Sequence, residues 1–540
     1  MDRPWLKSYE KGVPHTLTYP EITLAEILLN TAAKHPEHIA CTLNDLDISY
    51  RELQERVNGL AHALHGLDVG KGDRVALILP NSPTYVIAFY AIMKIGAIAV
   101  NINVMAQGEE LIRVLTHSGS KIVVTLDIFL QNVWRVMKDT PIKRIIIHSV
   151  FGLEKKVELG KGVPEPLVFN ALVAAHPKGE VTIECSWEDI AVLQYTSGTT
   201  GAPKAAMLTH RNLVSNLMQI NSWSTVPARE NAAVVCIIPF FHVFGLSICM
   251  NLSVYRGFRM ILLPRFDWSS ILSLMENVVK YQPHSFPAVP PLWAALVSYP
   301  DAGRHSLPCD TVPSSGGAPL PLWVQEKYEQ LTGRKIMEAY GLSEASSTTH
   351  INPMHRGIIP GSIGLPLPDT DARIVDIESG EKECPLGEVG ELIIRGPQVM
   401  DGYWENQAAT EEALRGGWLY TGDLARMDEK GYFYIVDRKK ELIISNGYNV
   451  YPSDVEAVLL AHPGVKEAAV MGVPDPVRGE AIVAFVVPER DGAVNRNELL
   501  THCRQHLALF KVPKSIRFED ELPKNPLGKV LMKLLRERIS

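Results

Sequence analysis

Ten residues combine the features that hold phosphate: Tyr195–Thr196–Ser197–Gly198–Thr199–Thr200–Gly201–Ala202–Pro203–Lys204. Gly198 and Gly201 let a backbone bend sharply and pass close to a ligand. The hydroxyls of Thr196, Ser197, Thr199 and Thr200, with free backbone N–H groups, can donate to phosphate oxygens, and Lys204 adds a positive charge. The spacing is not the GxxxxGK[ST] of a Walker loop. Composition alone suits a Ser/Thr/Gly-rich surface loop equally well. Four other residues are ambiguous in the same way when read singly. Glu344 suits a solvated helix start, Asp423 after Gly422 suits a turn, Lys529 near Lys524 and Lys533 suits a charged surface, and His242 suits a satisfied core histidine.

The elements that must position these residues are visible as patterns. Apolar runs at 74–79, 99–104, 121–125, 144–147 and 191–194 read as strands buried on both faces. Thr23-x-x-Glu26 and Ser49-x-x-Glu52 read as capping boxes opening helices. Alternating β and α units indicate an α/β fold with largely parallel sheets. Beyond Gly387 the pattern changes to strands at 387–396 and 431–436. The charge run Asp437–Arg438–Lys439–Lys440–Glu441 follows, and then a compact α+β pattern with a helix opening at Pro452–Ser453-x-x-Glu456 and a strand at 481–487. The charge run marks a domain boundary, with residues 1–436 before it and 437–540 after it.

At 540 residues the chain is too long for one core. Apolar residues make up 46% and charged residues 21%, a globular composition, and the net charge of −7 gives no overall basic field for nucleic acid. Seven cysteines form no CxxC pair, which fits a reducing, cytoplasmic setting rather than a disulfide framework or zinc site. The first 15 residues carry charges and no apolar run, so no secretory signal is expected. Asn231–Tyr255 contains no Asp, Glu, Lys or Arg, but Pro239, His242, Gly245 and Asn251 argue for a buried core or ligand tunnel over a membrane span. No basic amphipathic stretch demands a membrane surface, although a peripheral contact would suit a greasy substrate, and an oligomer is left open.

Five segments, in order, resemble the adenylate-forming superfamily of acyl-CoA synthetases, firefly luciferase and peptide-synthetase adenylation domains. Thr196–Lys204 is similar to its phosphate-loop signature TSGTTGxPK. Tyr340–Gly341–Leu342–Ser343–Glu344 resembles YGxTE, with Ser343 for the commoner Thr. Tyr420–Thr421–Gly422–Asp423 resembles its TGD element, Asp437–Arg438–Lys439–Lys440 its hinge, and Pro523–Lys524–Asn525–Pro526–Leu527–Gly528–Lys529 its PKxxxGK element. The resemblance implies a large N-terminal domain with two α/β sheet subdomains and a small β-barrel-like subdomain, then a small mobile α+β domain pivoting near Lys440. It implies an acid–CoA ligase using ATP, Mg²⁺ and coenzyme A, through acyl-AMP. Thr196 to Lys204 would hold the β- and γ-phosphates, and Glu344 would bind Mg²⁺. Gly317, Ala318 and Tyr340 would enclose adenine, with Gly341 and Ser343 also among the cofactor-binding residues. Asp423 and Arg438 would reach the ribose, Lys529 would bridge the acid and the α-phosphate, and Gly447 would face the thiol channel.

Phe241–His242–Val243–Phe244–Gly245 resembles the family's FHxxG element beside the acid pocket. Amino-acid-activating relatives carry an Asp at the His242 position to pair with an ammonium, and histidine cannot supply that fixed charge. His242 would instead gate the pocket from the CoA channel. Large apolar neighbours (Phe240, Phe241, Phe244) facing small Gly316 and Gly317 suit an apolar acyl tail. The opening Pro4–Trp5–Leu6–Lys7–Ser8–Tyr9 and the run 361–366 also look like bacterial long-chain fatty-acid–CoA ligases, so a medium- or long-chain fatty acid is expected, with alicyclic and aryl acids as alternatives. Ile444, where luciferases carry a second lysine, argues against an oxygenase. Lys529 and Glu344 together argue against a non-catalytic sensor of acyl groups or nucleotides.

Overall fold

The computed structural model describes residues 3–44, 46–149, 165–176, 179–181, 184–196, 203–264, 274, 276, 278, 280–299, 311–354, 357–445, 448–475, 478–490, 494–525 and 528–539. The chain divides into two compact units, Ser8–Asp371 with Arg395–Gly417, and Met1–Lys7 with Ala372–Ile394 and Trp418–Ser540.

The larger unit contains two sheets, and all five apolar runs fall in the first. The first has seven strands in the order Leu167–Val168, Arg144–His148, Ile122–Leu126, Arg74–Ile78, Ile98–Asn101, Ile190–Thr196 and Lys204–Thr209. All neighbours are parallel except the last pair, which forms an antiparallel hairpin. The other sheet has nine strands. Its parallel centre includes Val312–Ser315, Met337–Leu342, Ser285–Ala288 and Ala233–Cys236, with antiparallel strands at both edges. Helix Pro83–Lys94 is buried along its whole length. A helix enclosed on every side needs no polar face, and its sequence has none until Lys94, whose ammonium pairs with Glu180.

Both predicted capping boxes form. The Thr23 and Ser49 side chains accept from the Glu26 and Glu52 amides, and each glutamate accepts from the cap's own N–H. The uncharged stretch 231–255 splits into strand Ala233–Cys236, a π-helix at Gly245–Asn251 and helix Leu252–Arg256. Two short elements cannot make the run of about 20 helical residues a span needs, and no described helix is long and apolar enough to cross a membrane. The six described cysteines are free thiols.

The smaller unit contains the predicted small antiparallel sheet, in which Trp418–Met427 pairs with both Gly390–Arg395 and Phe433–Arg438. Trp5, 1% exposed, packs edge-on against Phe433 at 6.1 Å. The charge run breaks the strands later than the pattern predicts. Strand Phe433–Arg438 continues through Asp437 and Arg438, because Arg438 is in register with Asp423, and only Lys439–Glu441 turns away. The α+β remainder has Val465–Asp475 and Gly479–Pro488 as its long antiparallel pair, with helices Pro452–Leu460 and Arg496–His506. Helix 452–460 opens at Pro452 as expected, but Ser453 sits inside its first turn. The Ser453 hydroxyl donates to Val436 O and its amide to Asp437 Oδ2.

Candidate active site

The predicted phosphate segment joins two paired strand ends. Thr196 and Lys204 are register partners across the hairpin, so the chain between them must leave and return at one point of the sheet edge. Ser197, Gly198, Thr199, Thr200 and Gly201 lie outside the described residues. The Lys204 ammonium stands 5.4 Å from the centre of the Tyr403 ring, and the Tyr403 hydroxyl donates to Glu344 Oε1 at 2.8 Å. Lys204 and Glu344, 140 residues apart in sequence, are thus joined through one tyrosine. Burial and the Glu344 carboxylate both push the Tyr403 hydroxyl well above its ordinary pKa, which keeps it a donor. Tyr403 is the residue that sequence reading missed. Its only local signal is an aromatic pair, Tyr403–Trp404, after Gly402.

The adenine candidates gather at the carboxyl ends of two adjacent parallel strands, where open α/β sheets form crevices. Gly317 and Ala318 follow strand Val312–Ser315, while Tyr340 and Gly341 end strand Met337–Leu342. Ser343 and Glu344 begin the short turn that follows. Gly341 cannot carry a side chain, because a Cβ there would lie 1.4 Å from Ser347 O. Ser346 and Ser347 have φ of 60° and 132°. Such backbone is uncommon for residues with a side chain and costs of order 1–3 kcal/mol each. The Ser346 hydroxyl donates to Gln398 O, and its carbonyl accepts from Ser247 Oγ. The turn behind Glu344 is therefore held by other segments.

His242 is braced from the core. Asn81 donates to Cys236 O and Ile238 O and accepts the Phe240 amide, Tyr85 donates to Phe240 O, and Gln194 donates to Phe241 O. His242 Nδ1 accepts the Phe244 amide at 3.2 Å, which places the neutral ring's proton on Nε2. Burial drives its pKa down to about 4, so the imidazole is uncharged at neutral pH.

In the smaller unit Arg438 Nε meets Asp423 Oδ1 at 2.6 Å, with Asp423 almost wholly buried. Asp423 follows Gly422, and the Gly422 amide donates to Glu391 Oε1 while Glu391 Oε2 takes the Lys439 ammonium at 2.7 Å. Lys529 closes a small turn in which its amide donates to Asn525 Oδ1 and its carbonyl accepts the Asn525 amide. Burial first, then Arg438, pull its pKa down, with Lys440 adding to the fall while Glu441 and Asp423 oppose it. The fold therefore brings Lys529, Arg438, Asp423 and Lys440 into one electrostatic neighbourhood. Gly447 lies outside the described residues, between strands Ile443–Ser445 and Tyr448–Val450.

Among the described residues no three His, Cys, Asp or Glu side chains are placed to hold a metal ion. Glu344 supplies a single hard oxygen donor group, which fits Mg²⁺, a cation that binds through one or two carboxylates together with substrate phosphates.

The larger unit places Lys204, Tyr403 and Glu344 together, and the smaller unit carries a buried aspartate–arginine pair and a lysine with a lowered pKa, an arrangement that suits binding of a phosphorylated nucleotide. The AMP-binding enzyme family model matches residues 28–404, and the AMP-binding enzyme C-terminal domain matches 454–529. A long-chain-fatty-acid–CoA ligase of Bacillus subtilis is 39% identical, covering 99% of this chain and 98% of its own. A feruloyl-CoA synthase of Amycolatopsis is 35% identical over 91% of this chain and 94% of its own. Among solved structures, ATP-bound MatB from Rhodopseudomonas palustris superposes with TM-score 0.85 at 30% identity, covering 96% of this chain and 99% of that one. Bacillus subtilis o-succinylbenzoate CoA synthetase with ATP and magnesium gives 0.81 at 29% identity, covering 96% and 100%. The chain belongs to the AMP-binding enzyme family and is an adenylate-forming acid–CoA ligase.

Proposed function

We propose that the acid is a medium- or long-chain fatty acid, and that the enzyme converts it with ATP to acyl-AMP and pyrophosphate, then with CoA to acyl-CoA and AMP. The observation that carries the choice of acid is the uncharged, aromatic-rich segment around His242. With a neutral imidazole and Phe240, Phe241 and Phe244 beside it, this segment offers no charge to pair with a substrate ammonium or a second carboxylate. The names of the bacterial long-chain ligases that resemble the chain over its full length support the same reading.

In the first step a carboxylate oxygen bonds to the α-phosphorus and pyrophosphate leaves. Both partners are anionic, so the residues act by neutralising charge and fixing an in-line approach. Lys204 and the Thr196–Gly201 segment hold the outer phosphates, Glu344 holds Mg²⁺, and Asp423 and Arg438 hold the ribose. Gly317, Ala318, Tyr340 and Gly341 line the adenine, with Ser343 beside them. Lys529 places its ammonium between the acid and the α-phosphate. Bound Mg²⁺ withdraws charge from the phosphate oxygens. In the second step the CoA sulfur, having lost its proton, bonds to the acyl carbon and AMP leaves. Residues 437–540 pivot near Lys440 between the steps, His242 separates pocket from thiol channel, and Gly447 lets the pantetheine pass.

The test is AMP release by the purified chain with ATP, Mg²⁺ and CoA across acids from acetate to oleate, with benzoate and cyclohexane carboxylate included. CoA-dependent release that peaks at a medium or long linear chain is expected. A peak at a ring acid would assign an aryl or alicyclic substrate instead.

A further inference from the structure

We infer that Tyr403 is a positioning residue that orients the Glu344 carboxylate for the divalent cation and ties it to Lys204. The inference rests on the reading of Glu344 as the Mg²⁺ ligand and Lys204 as a phosphate-facing charge.

The first support is the seat in which Tyr403 lies. Residues 401–404 run antiparallel beside Lys204–Thr209, with an isolated β-bridge between Tyr403 and Ala206. Met207 N donates to Gly402 O, Asp401 N to Met207 O and Trp404 N to Ala205 O. The Tyr403 amide donates to Thr410 Oγ1, and Thr410 is itself tied to Asn406, the cap of helix Gln407–Ala413. Gly402, with φ of 145°, makes the sharp passage into this segment, and a Cβ there would lie 2.7 Å from Thr410 Cγ2. Two residues before Gly402, Met400 N donates to Glu344 O, so the same segment holds both backbone and side chain of Glu344. The Tyr403 backbone is thus fixed on the strand that begins at Lys204.

The second support is what the side chain does from that seat. Its hydroxyl occupies one Glu344 oxygen, and among the described residues Oε2 takes no hydrogen bond. A carboxylate held on one oxygen presents the other in a defined direction, as outer-shell partners of metal ligands do. The ring face then attracts the Lys204 ammonium. This keeps the cation close to Glu344 without the direct ion pair that would consume both charges. Tyr403 is 8% exposed, so most of the ring is packed in protein.

The experiment titrates Mn²⁺, followed by its electron paramagnetic resonance signal, into the full chain saturated with α,β-methylene-ATP. Tyr403→Phe removes the hydroxyl and keeps the ring. It is expected to weaken Mn²⁺ binding about tenfold, the lower end of outer-shell effects. Nucleotide affinity in EDTA and the Tm are expected to stay unchanged. Glu344→Gln is expected to weaken Mn²⁺ binding at least as much, and the double variant to match Glu344→Gln alone. Unchanged Mn²⁺ affinity in Tyr403→Phe, or metal affinity, EDTA nucleotide affinity and Tm falling together, would overturn the role of Tyr403. A double variant weaker than Glu344→Gln alone would also overturn it, since Tyr403 would not then act through Glu344. Unchanged Mn²⁺ affinity in Glu344→Gln would overturn the metal-ligand reading itself, and the inference with it.

Discussion

In the larger unit, Lys204 and Glu344 are held by uncharged groups: a tyrosine, a glycine passing within contact of a carbonyl, and two serines in left-handed backbone. In the smaller unit the candidate residues are held by one another's charges, Asp423 on Arg438, Glu391 on Lys439, and Lys529 among both signs. The first arrangement has no slack in shape. The second depends on charge. Variants should therefore separate the two regions by what each fails to tolerate.

The largest effect is expected at Lys529. Lys529→Ala should slow acyl-AMP formation by about 10²–10³-fold, as loss of one transition-state charge partner does. CoA attack on preformed acyl-AMP should stay within about threefold of wild type. Equal loss in the two half-reactions would remove Lys529 from the adenylation step. Gly341→Ala should destabilise the chain by about 3 kcal/mol or more, because backbone rather than a movable side chain blocks the Cβ. Near-normal stability in denaturant titration would mean the larger unit does have slack in shape. Asp423→Asn should raise KM for ATP by about tenfold, the effect of weakening one charge-assisted hydrogen bond. A large drop in Tm would make the Asp423–Arg438 pair structural.

Two pH effects are smaller. Adenylation should fall as pH rises through the Lys529 pKa, at lower pH than for an ordinary lysine, because burial and Arg438 favour the neutral amine. A rate profile flat to pH 10.5 would contradict this. Glu456, buried near Asp437 and Glu441 and accepting the Val470 amide, has its pKa raised to about 7. A carboxyl with a raised folded-state pKa stabilises the fold below its unfolded pKa, and that stability is lost as pH rises through 7. The loss scales with the size of that rise, and Glu456→Gln should flatten it. An unchanged pH–stability curve in that variant would show that Glu456 does not titrate there.

Local features were legible in the sequence because their causes are local. Thr23–Glu26 and Ser49–Glu52 cap helices by contacts three residues apart, and the buried strands at 74–78 and 122–126 read as apolar runs. Glu344, Asp423 and Lys529 were found through family motifs, since each alone resembles an ordinary surface residue. The contacts around them were not legible. Tyr403 meets Glu344 across 59 positions and Glu391 meets Lys439 across 48, and no periodicity in one segment encodes its pairing with another. The late end of strand Phe433–Arg438 was missed for the same reason, because the Asp423 register partner overrides the local charge run.

The bridging segment at residues 401–404 also bears on how the protein is made. Strand Lys204–Thr209 leaves the ribosome roughly two hundred residues before the segment that completes its edge. At about 5–20 residues per second this is a wait of about 10–40 s. During that interval a nascent sheet edge stands unpaired and the nucleotide side of the site cannot assemble. Aggregation during synthesis should therefore be governed by the stretch between this strand and the bridging segment, and slowing translation there should lower yield more than slowing it after residue 404.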